Sequence, residues 1–169
     1  MARSSPAAAA LVYRPLELPG AEARELFAFV GAWLPPAVSV EAAWGAFDGA
    51  RLAGAALLQR AGASAMLHGP VLTLADGAVV DDALDVAARL VELALAHTEG
   101  ARIATVFARP QSLERVWVRL GFIPVPEVEL GSALRSVPGA GLFGWRGGSA
   151  LWSAANRGAR APEGGRRGR

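Results

Sequence analysis

The dipeptide Asp48-Gly49 separates two long apolar runs, residues 42–47 and 51–60. Asp-Gly between two such runs favours a tight hairpin, because these residues tolerate the positive φ angles of a type I′ turn. The hairpin commits the middle of the chain to an antiparallel sheet. Residues 64–74 predict a further strand, interrupted at Gly69-Pro70, where the proline implies a bulge or a loss of pairing.

Two segments with helical spacing lie on either side of these strands. Residues 21–34 repeat apolar side chains every three or four positions and stop at Pro35-Pro36. Residues 81–97 carry a longer apolar face that is closed by Gly100. A further helical turn is expected at residues 39–43.

Shorter elements complete the pattern. The spacing predicts a short helix over residues 111–120 and strands over residues 11–16, 102–108, 123–130 and 141–145. A hairpin meander followed by strand, helix and strand predicts an α/β (α+β) fold, with a mixed, mostly antiparallel central sheet and helices on both faces.

Composition divides the chain into three segments. We expect a flexible N-terminus at residues 1–10, one domain over residues 11–146 and a disordered Gly/Arg-rich tail over residues 147–169. All 17 basic residues are arginine, and six of them lie from residue 146 onward. The predicted domain is therefore mildly acidic, and the basic character belongs to the tail.

The chain has no cysteine and only two histidines, His68 and His97. Disulfides, cysteine nucleophiles and zinc sites with several imidazoles are thereby excluded, and we expect no metal site. The apolar run at residues 7–12 is too short for a signal peptide, and no stretch of about 18 apolar residues predicts a membrane span. We expect a soluble, cytoplasmic protein with no membrane partner.

Two local segments carry a family resemblance. Residues 46–55 read Ala-Phe-Asp-Gly-Ala-Arg-Leu-Ala-Gly-Ala, and residues 115–122 read Arg-Val-Trp-Val-Arg-Leu-Gly-Phe. In this order and spacing they resemble the hairpin and the late Leu-Gly-Phe helix of the GNAT N-acetyltransferase superfamily, of which the chain looks like a divergent member over residues 11–146. The resemblance implies an N-acyltransferase that uses acetyl-CoA or another acyl-CoA as co-substrate and a small-molecule or peptide amine as acceptor.

In that family the fourth strand bulges and parts from the fifth, which opens a V-shaped slot for the pantetheine arm. The resemblance maps the bulge near Gly69-Pro70. The groups that it implies for acyl-CoA binding in the slot are Val71, Leu72, Thr73 and Leu74. Backbone donors that leave a strand ladder and already face a developing oxyanion need no reorganisation during the reaction.

The next loop departs from the family's phosphate-binding pattern of arginine and glycines. Residues 75–83 keep one glycine and contain no arginine. The groups that remain for the pyrophosphate are Gly77, Ala78, Val79 and Val80. Asp81 and Asp82 stand where phosphate would meet the helix. We interpret them as structural caps, and their charge would also repel phosphate.

His68, just before the bulge, is the candidate catalytic residue, near where some family members carry a catalytic glutamate. Imidazole titrates near neutral pH and could take a proton from the incoming amine directly or through water. The alternative is a strand histidine that a neighbouring backbone group satisfies. Weaker carboxylate candidates are Glu41, Glu127 and Glu129. His97, in the last turn of its helix, is explained by the helix dipole.

Pro110 and Trp117 occupy the positions of the family's asparagine and of the tyrosine that protonates the leaving thiolate. An indole N–H donates a hydrogen bond but is not a useful acid near neutral pH, so Trp117 cannot inherit the tyrosine's role. Core packing beside Leu113 and Leu120 is favoured for Trp117, with acyl-CoA binding in the slot as the alternative.

Three function classes follow. The first is the N-acyltransferase, and the second is a GNAT-like domain without catalysis that serves binding, regulation or assembly. The altered loop and the missing tyrosine support the second class. The third is an adaptor that contacts nucleic acid or lipid through the tail, which we do not expect because its arginines are sparse. A homodimer through the last strands is left open.

Overall fold

The computed structural model describes residues 11–17, 20–73, 80–110, 112–135 and 151–155, with Val80 and Asp81 described by their backbone alone. The strands in these segments are β1 (Val12–Pro15), β2 (Val40–Asp48), β3 (Arg51–Ala61), β4 (Ser64–Leu72), β5 (Thr105–Ala108), β6 (Ile123–Pro124) and β7 (Trp152–Ala155). The helices are α1 (Ala21–Phe29), α2 (Val80–Gly100), α3 (Glu114–Arg119) and α4 (Ser132–Arg135), and 3-10 turns lie at Ala37–Ser39 and Glu127–Glu129.

The strands form one mixed sheet in the order β1-β2-β3-β4-β5-β7-β6. Only β4 and β5 pair in parallel, and every other neighbouring pair in this sheet is antiparallel. A parallel pair needs a long crossover connection, which the 21-residue helix α2 supplies. The predicted mixed, mostly antiparallel sheet is confirmed.

Helices cover both faces of the sheet, as predicted. Helix α1 buries Leu26 and Phe27 against β2 and β3 on one face, in the α1-side cluster. Helices α2 and α3 bury Leu90 and Trp117 on the other face, in the α2-side cluster. None of the helices in the described segments has the length and apolar character that a bilayer crossing requires.

The predicted hairpin forms between β2 and β3, where Asp48 pairs with Arg51 and Gly49 has a positive φ of 59°. The predicted bulge is also present, in β4. Ala55 pairs with Val71 and Leu57 pairs with His68, so two residues of β4, Gly69 and Pro70, lie opposite one residue of β3. The β4 strand therefore changes register at the site that the proline indicated.

Helix α1 ends earlier than the apolar spacing predicts. Gly31 has a φ of 67°, its N–H donates to the carbonyl of Ala28, and the Ala32 N–H donates to the carbonyl of Phe27. This pair of bonds is a Schellman motif, which stops a helix at a left-handed glycine before any proline is reached. The helical turn predicted over residues 39–43 is wrong, because β2 begins at Val40.

Two further elements begin later than predicted, each after a residue with left-handed backbone. Strand β5 begins at Thr105, after Arg102 with a φ of 57°, and helix α3 begins at Glu114, after Leu113 with a φ of 68°. The strand predicted over residues 123–130 ends at Pro124, because prolines 124 and 126 lack the N–H groups that a ladder needs.

Strand β7 lies beyond residue 146, where the sequence placed the end of the domain. Its residues Trp152 and Ala155 pair with Ala108 and Thr105 of β5. The sheet therefore includes four residues, Trp152–Ala155, of the segment assigned to the tail. The strand predicted over residues 141–145 and the predicted flexible N-terminus, residues 1–10, lie outside the described residues.

We predict that Gly69→Ala destabilises the fold more than the matched change Gly62→Ala. Both glycines have positive φ, 88° and 64°, so both changes carry left-handed strain of about 1–2 kcal/mol. A Cβ at Gly69 would also lie 2.8 Å from the carbonyl oxygen of Ala55, whereas a Cβ at Gly62 meets nothing within 4 Å. Urea unfolding should show about 2 kcal/mol more loss for Gly69→Ala. Equal losses would contradict the tight bulge.

Candidate active site

An opening begins where β4 and β5 part. The two strands pair only from Ser64 with Thr105 to Leu67 with Ala108. Strand β4 runs on to Leu72, whereas β5 ends at Ala108 and is followed by Arg109 and Pro110. From His68 onward, the edge of β4 that faced β5 is released from the ladder.

The backbone N–H of Leu72 faces this opening. The N–H of Thr73 donates to the carbonyl of Ala53 at 2.8 Å, so it points toward β3. Because backbone groups alternate in direction along a strand, the N–H of Leu72 points to the side that β5 has left. The N–H of Val71 points toward β3, and Pro70 has none. Of the predicted slot residues that the structure describes, Leu72 is therefore the one whose backbone N–H is directed into the opening.

The remaining groups predicted to bind acyl-CoA are only partly described. Leu74, Gly77, Ala78 and Val79 lie outside the described residues, and Val80 begins α2 with its backbone alone described. Asp82 is exposed in the first turn of α2. An exposed acidic side chain is therefore present in the first turn of α2, as the sequence indicated.

His68 lies beside the opening, on the α1 side of the sheet. Its neighbour Leu67 packs in the α2-side cluster, and side chains alternate along a strand. The imidazole lies against the indole of Trp33, with ring centroids 5.3 Å apart and ring planes at 58°. Its Nε2 is 2.9 Å from Oε1 of Gln59. A side chain, and not a neighbouring backbone group, is the partner that the structure gives this ring nitrogen.

Burial controls the charge of His68. The residue is 8% exposed, and desolvation lowers its pKa from 6.5 to about 4. The imidazole is therefore neutral near pH 7. With the amide oxygen of Gln59 as its partner, Nε2 would donate, and the lone pair would then lie on Nδ1. A neutral imidazole can accept a proton at the ring nitrogen that carries the lone pair.

The carboxylate candidates are separated by the fold. Glu41 lies 3.4 Å from Arg60 and 3.6 Å from His97, and Arg60 pairs with Ala65 near the start of β4. Glu41 thus faces the end of α2, on the opposite face of the sheet from His68. Glu129 is exposed in the turn after β6.

Glu127 forms a two-pronged ion pair with Arg109, the residue that follows β5. Nη1 of Arg109 contacts Oε1 of Glu127, and Nη2 lies 2.8 Å from Oε2. The arginine side chain is only 10% exposed. This pair ties the residue after β5 to the 3-10 turn after β6, beside the point where β4 and β5 part.

Trp117 is buried in the α2-side cluster at 2% exposure. Its Nε1–H donates to the carbonyl of Ser112 at 3.0 Å, and its ring meets Phe122 edge to face with centroids 5.0 Å apart. The indole N–H is already occupied, so any contact that Trp117 makes with the slot is limited to its ring.

Sequence reasoning did not single out three residues that shape the site. Trp33 and Gln59 were parts of apolar runs, and Arg109 followed a buried strand without a motif of its own. Arg109 carried a usable signal, because a charged residue directly after a buried strand lies at the edge of the sheet, where sites form. Gln59 and Trp33 carried none, since their contacts with His68 cross between elements.

Comparison with known proteins rests on structure. No protein-family model matches the sequence, and no curated protein gives a significant match. N-acetylglutamate synthase from Neisseria gonorrhoeae, complexed with coenzyme A and L-arginine, is 14% identical with a TM-score of 0.60 over 88% of this chain and 34% of the synthase chain. This chain therefore spans about a third of the length of that synthase chain.

Two smaller proteins give similar agreement. Ribosomal-protein-S18-alanine N-acetyltransferase from Escherichia coli is 12% identical with a TM-score of 0.57 over 90% of this chain and 97% of its own. A GNAT-family acetyltransferase from Staphylococcus aureus is 11% identical, with a TM-score of 0.51 over 69% and 68%. The chain has the GNAT fold. The resemblance read from the hairpin and from the Leu-Gly-Phe helix is confirmed at the level of the fold.

We predict that His68 makes the stability of this GNAT-fold chain depend on pH between about 4 and 6.5. Its folded pKa is depressed, so the unfolded chain binds the extra proton in this window. The stabilisation is fully present above pH 6.5 and is lost as pH falls toward 4. Between pH 7 and 4, wild type should lose about 3 kcal/mol more than His68→Gln in urea unfolding. Parallel pH profiles would show that His68 is not desolvated.

Proposed function

We propose that this protein is an acyl-CoA-dependent N-acyltransferase, with acetyl-CoA as the donor and an amine as the acceptor, by direct attack. The observation that carries the proposal is the parting of β4 and β5 after Leu67, with the N–H of Leu72 and the neutral imidazole of His68 beside the gap. The GNAT fold adds support, because a neighbour with this fold was crystallised with coenzyme A.

The residues beside the opening divide the work between charge stabilisation and proton removal. Bound acyl-CoA would supply a thioester carbonyl, at which a C–N bond forms as the C–S bond breaks. The N–H of Leu72 is oriented to stabilise negative charge on an oxygen in the slot, at no reorganisation cost. His68 would accept the proton that the attacking nitrogen must lose, at Nδ1, and pass it to solvent.

The low pKa of His68 decides when it acts. A base with a pKa of about 4 cannot take a proton from a free alkylammonium ion, so solvent must supply the acceptor as neutral amine. Once the C–N bond forms, the nitrogen is positively charged and its N–H becomes acidic enough for a neutral imidazole. The leaving thiolate would take its proton from water, because the N–H of Trp117 is held by Ser112.

The start of α2 offers a pyrophosphate both backbone donors and an acidic side chain. The proposed pyrophosphate groups are the backbone N–H groups of Gly77, Ala78, Val79 and Val80, at the start of α2. No arginine lies in residues 75–83, and Asp82 brings negative charge to the same helix end. We therefore expect the pantetheine arm to contribute more affinity than the nucleotide.

The second candidate function is a GNAT-like domain that binds a ligand or partner without catalysis. The acidic first turn of α2 and the occupied N–H of Trp117 favour it, because both remove features that assist acyl transfer. This candidate predicts no thiol release with any amine, and it needs no stabilisation by acetyl-CoA.

We predict that millimolar acetyl-CoA raises the thermal unfolding temperature by about 4 °C or more, as expected for a ligand well above its Kd. S-acetyl-pantetheine should bind within about tenfold of acetyl-CoA, because the phosphates gain little here. Asp82→Asn should tighten acetyl-CoA binding about twofold to fivefold, and Asp85→Asn, one turn further along, should change it less. No stabilisation by either thioester would reject the acyltransferase.

We predict that His68→Gln lowers kcat/KM for amine acetylation about 100-fold, because it removes the proton acceptor. The thermal shift with acetyl-CoA should stay as in wild type, because the described partners of the imidazole are Trp33 and Gln59 and His68 is not among the groups proposed to bind acyl-CoA. Thiol release from acetyl-CoA measures the rate. Glu41→Gln is the matched control, on the opposite face of the sheet, and should retain wild-type activity. Loss of activity in Glu41→Gln with full activity in His68→Gln would reverse the assignment.

A further inference from the structure

The segment from the end of α1 to the start of β2 presents apolar side chains to solvent, and one of them, Trp33, lies against His68. Residues 26–40 contain no charged side chain. Within this stretch Phe29 is 80% exposed, Trp33 37% and Val38 98%. Exposed apolar groups of this size are commonly retained where a protein binds a ligand or partner.

Trp33 is held in place by its neighbours in sequence. The backbone at Ala32 is fixed by its hydrogen bond to Phe27, and the side chains of Ala32 and Leu34 pack against the α1-side cluster. The indole between them touches the imidazole of His68 and keeps an open surface. A group that lies on this surface is therefore next to the proposed proton acceptor.

Among the described residues, the cation beside the opening is already paired. The guanidinium of Arg109, which follows β5, is engaged by both carboxylate oxygens of Glu127. The cause of the lowered pKa of His68 is burial. A carboxylate or hydroxyl held against the face of the Trp33 indole would lose water without gaining a strong partner from that face.

We propose that the open surface of Trp33 binds the body of the acceptor, which is a primary amine on an apolar, aromatic group. This inference rests on the proposed function and specifies its substrate class. An aromatic ring on the indole gains stacking and buried apolar area, and its amine lies on the His68 side. The residues that contact the acceptor are then Trp33 for selection and His68 for proton transfer.

The test compares 2-phenylethylamine with ethanolamine, two primary amines on the same two-carbon chain. The ratio of their kcat/KM values cancels any effect on the chemistry that they share. Wild type should prefer 2-phenylethylamine about tenfold or more. Trp33→Ser should bring the ratio close to one, and Trp33→Phe should keep most of the preference. Val118→Ser, a change at an apolar residue 62% exposed on α3, should leave the ratio unchanged.

A binding measurement separates this inference from the proposed reaction. In a spectrum of indole N–H groups, 2-phenylethylamine should shift the signal that Trp33→Phe removes, and should leave the buried Trp117 signal in place. Binding at Trp33 without thiol release would reject the acyltransferase and keep the aromatic-amine site. Acetylation of both amines at equal rates, or a preference that survives Trp33→Ser, would keep the acyltransferase and overturn the acceptor class.

Discussion

The parting of β4 from β5 is the constraint on which the rest of the site depends. It is maintained from both sides. In β4, Gly69 adopts a φ of 88° and approaches the carbonyl of Ala55 so closely that no side chain fits. On the β5 side, pairing with β4 ends at Ala108. The next residue, Arg109, is tied by its ion pair with Glu127 to the 3-10 turn after β6. A strand edge that has left β5, with the N–H of Leu72 directed away from β3, is the result.

The same packing that orients His68 also limits it as a base. Trp33 and Gln59 fix the ring, and burial keeps it neutral by lowering its pKa to about 4. A neutral imidazole offers a lone pair at physiological pH, but it is too weak to deprotonate a free ammonium ion. In the proposed reaction, this arrangement would suit proton removal after the C–N bond has formed, and solvent would have to supply the acceptor as neutral amine.

Local signals carried much of the fold. The Asp48-Gly49 turn, the bulge at Gly69-Pro70 and the apolar face of α2 each lie within a few residues of sequence, and each was read correctly. Errors arose where a local signal competed with another. The Schellman turn at Gly31 stopped α1 before the prolines, and the prolines after β6 ended a strand that the apolar residues alone would have continued.

The sequence by itself determined the alternation of strands and helices and the position of the bulge, and it singled out His68 as a candidate, since periodicity, proline and residue chemistry are properties of short segments. Only the tertiary structure decided which groups lie against His68 and which lie beside the opening. Trp33, Gln59 and the pair of Arg109 with Glu127 come from four separate parts of the chain. Strand β7, from the segment read as a tail, likewise pairs with a strand some fifty residues earlier. Contacts of this kind depend on how elements pack across the sheet, for which a single sequence carries no local signal.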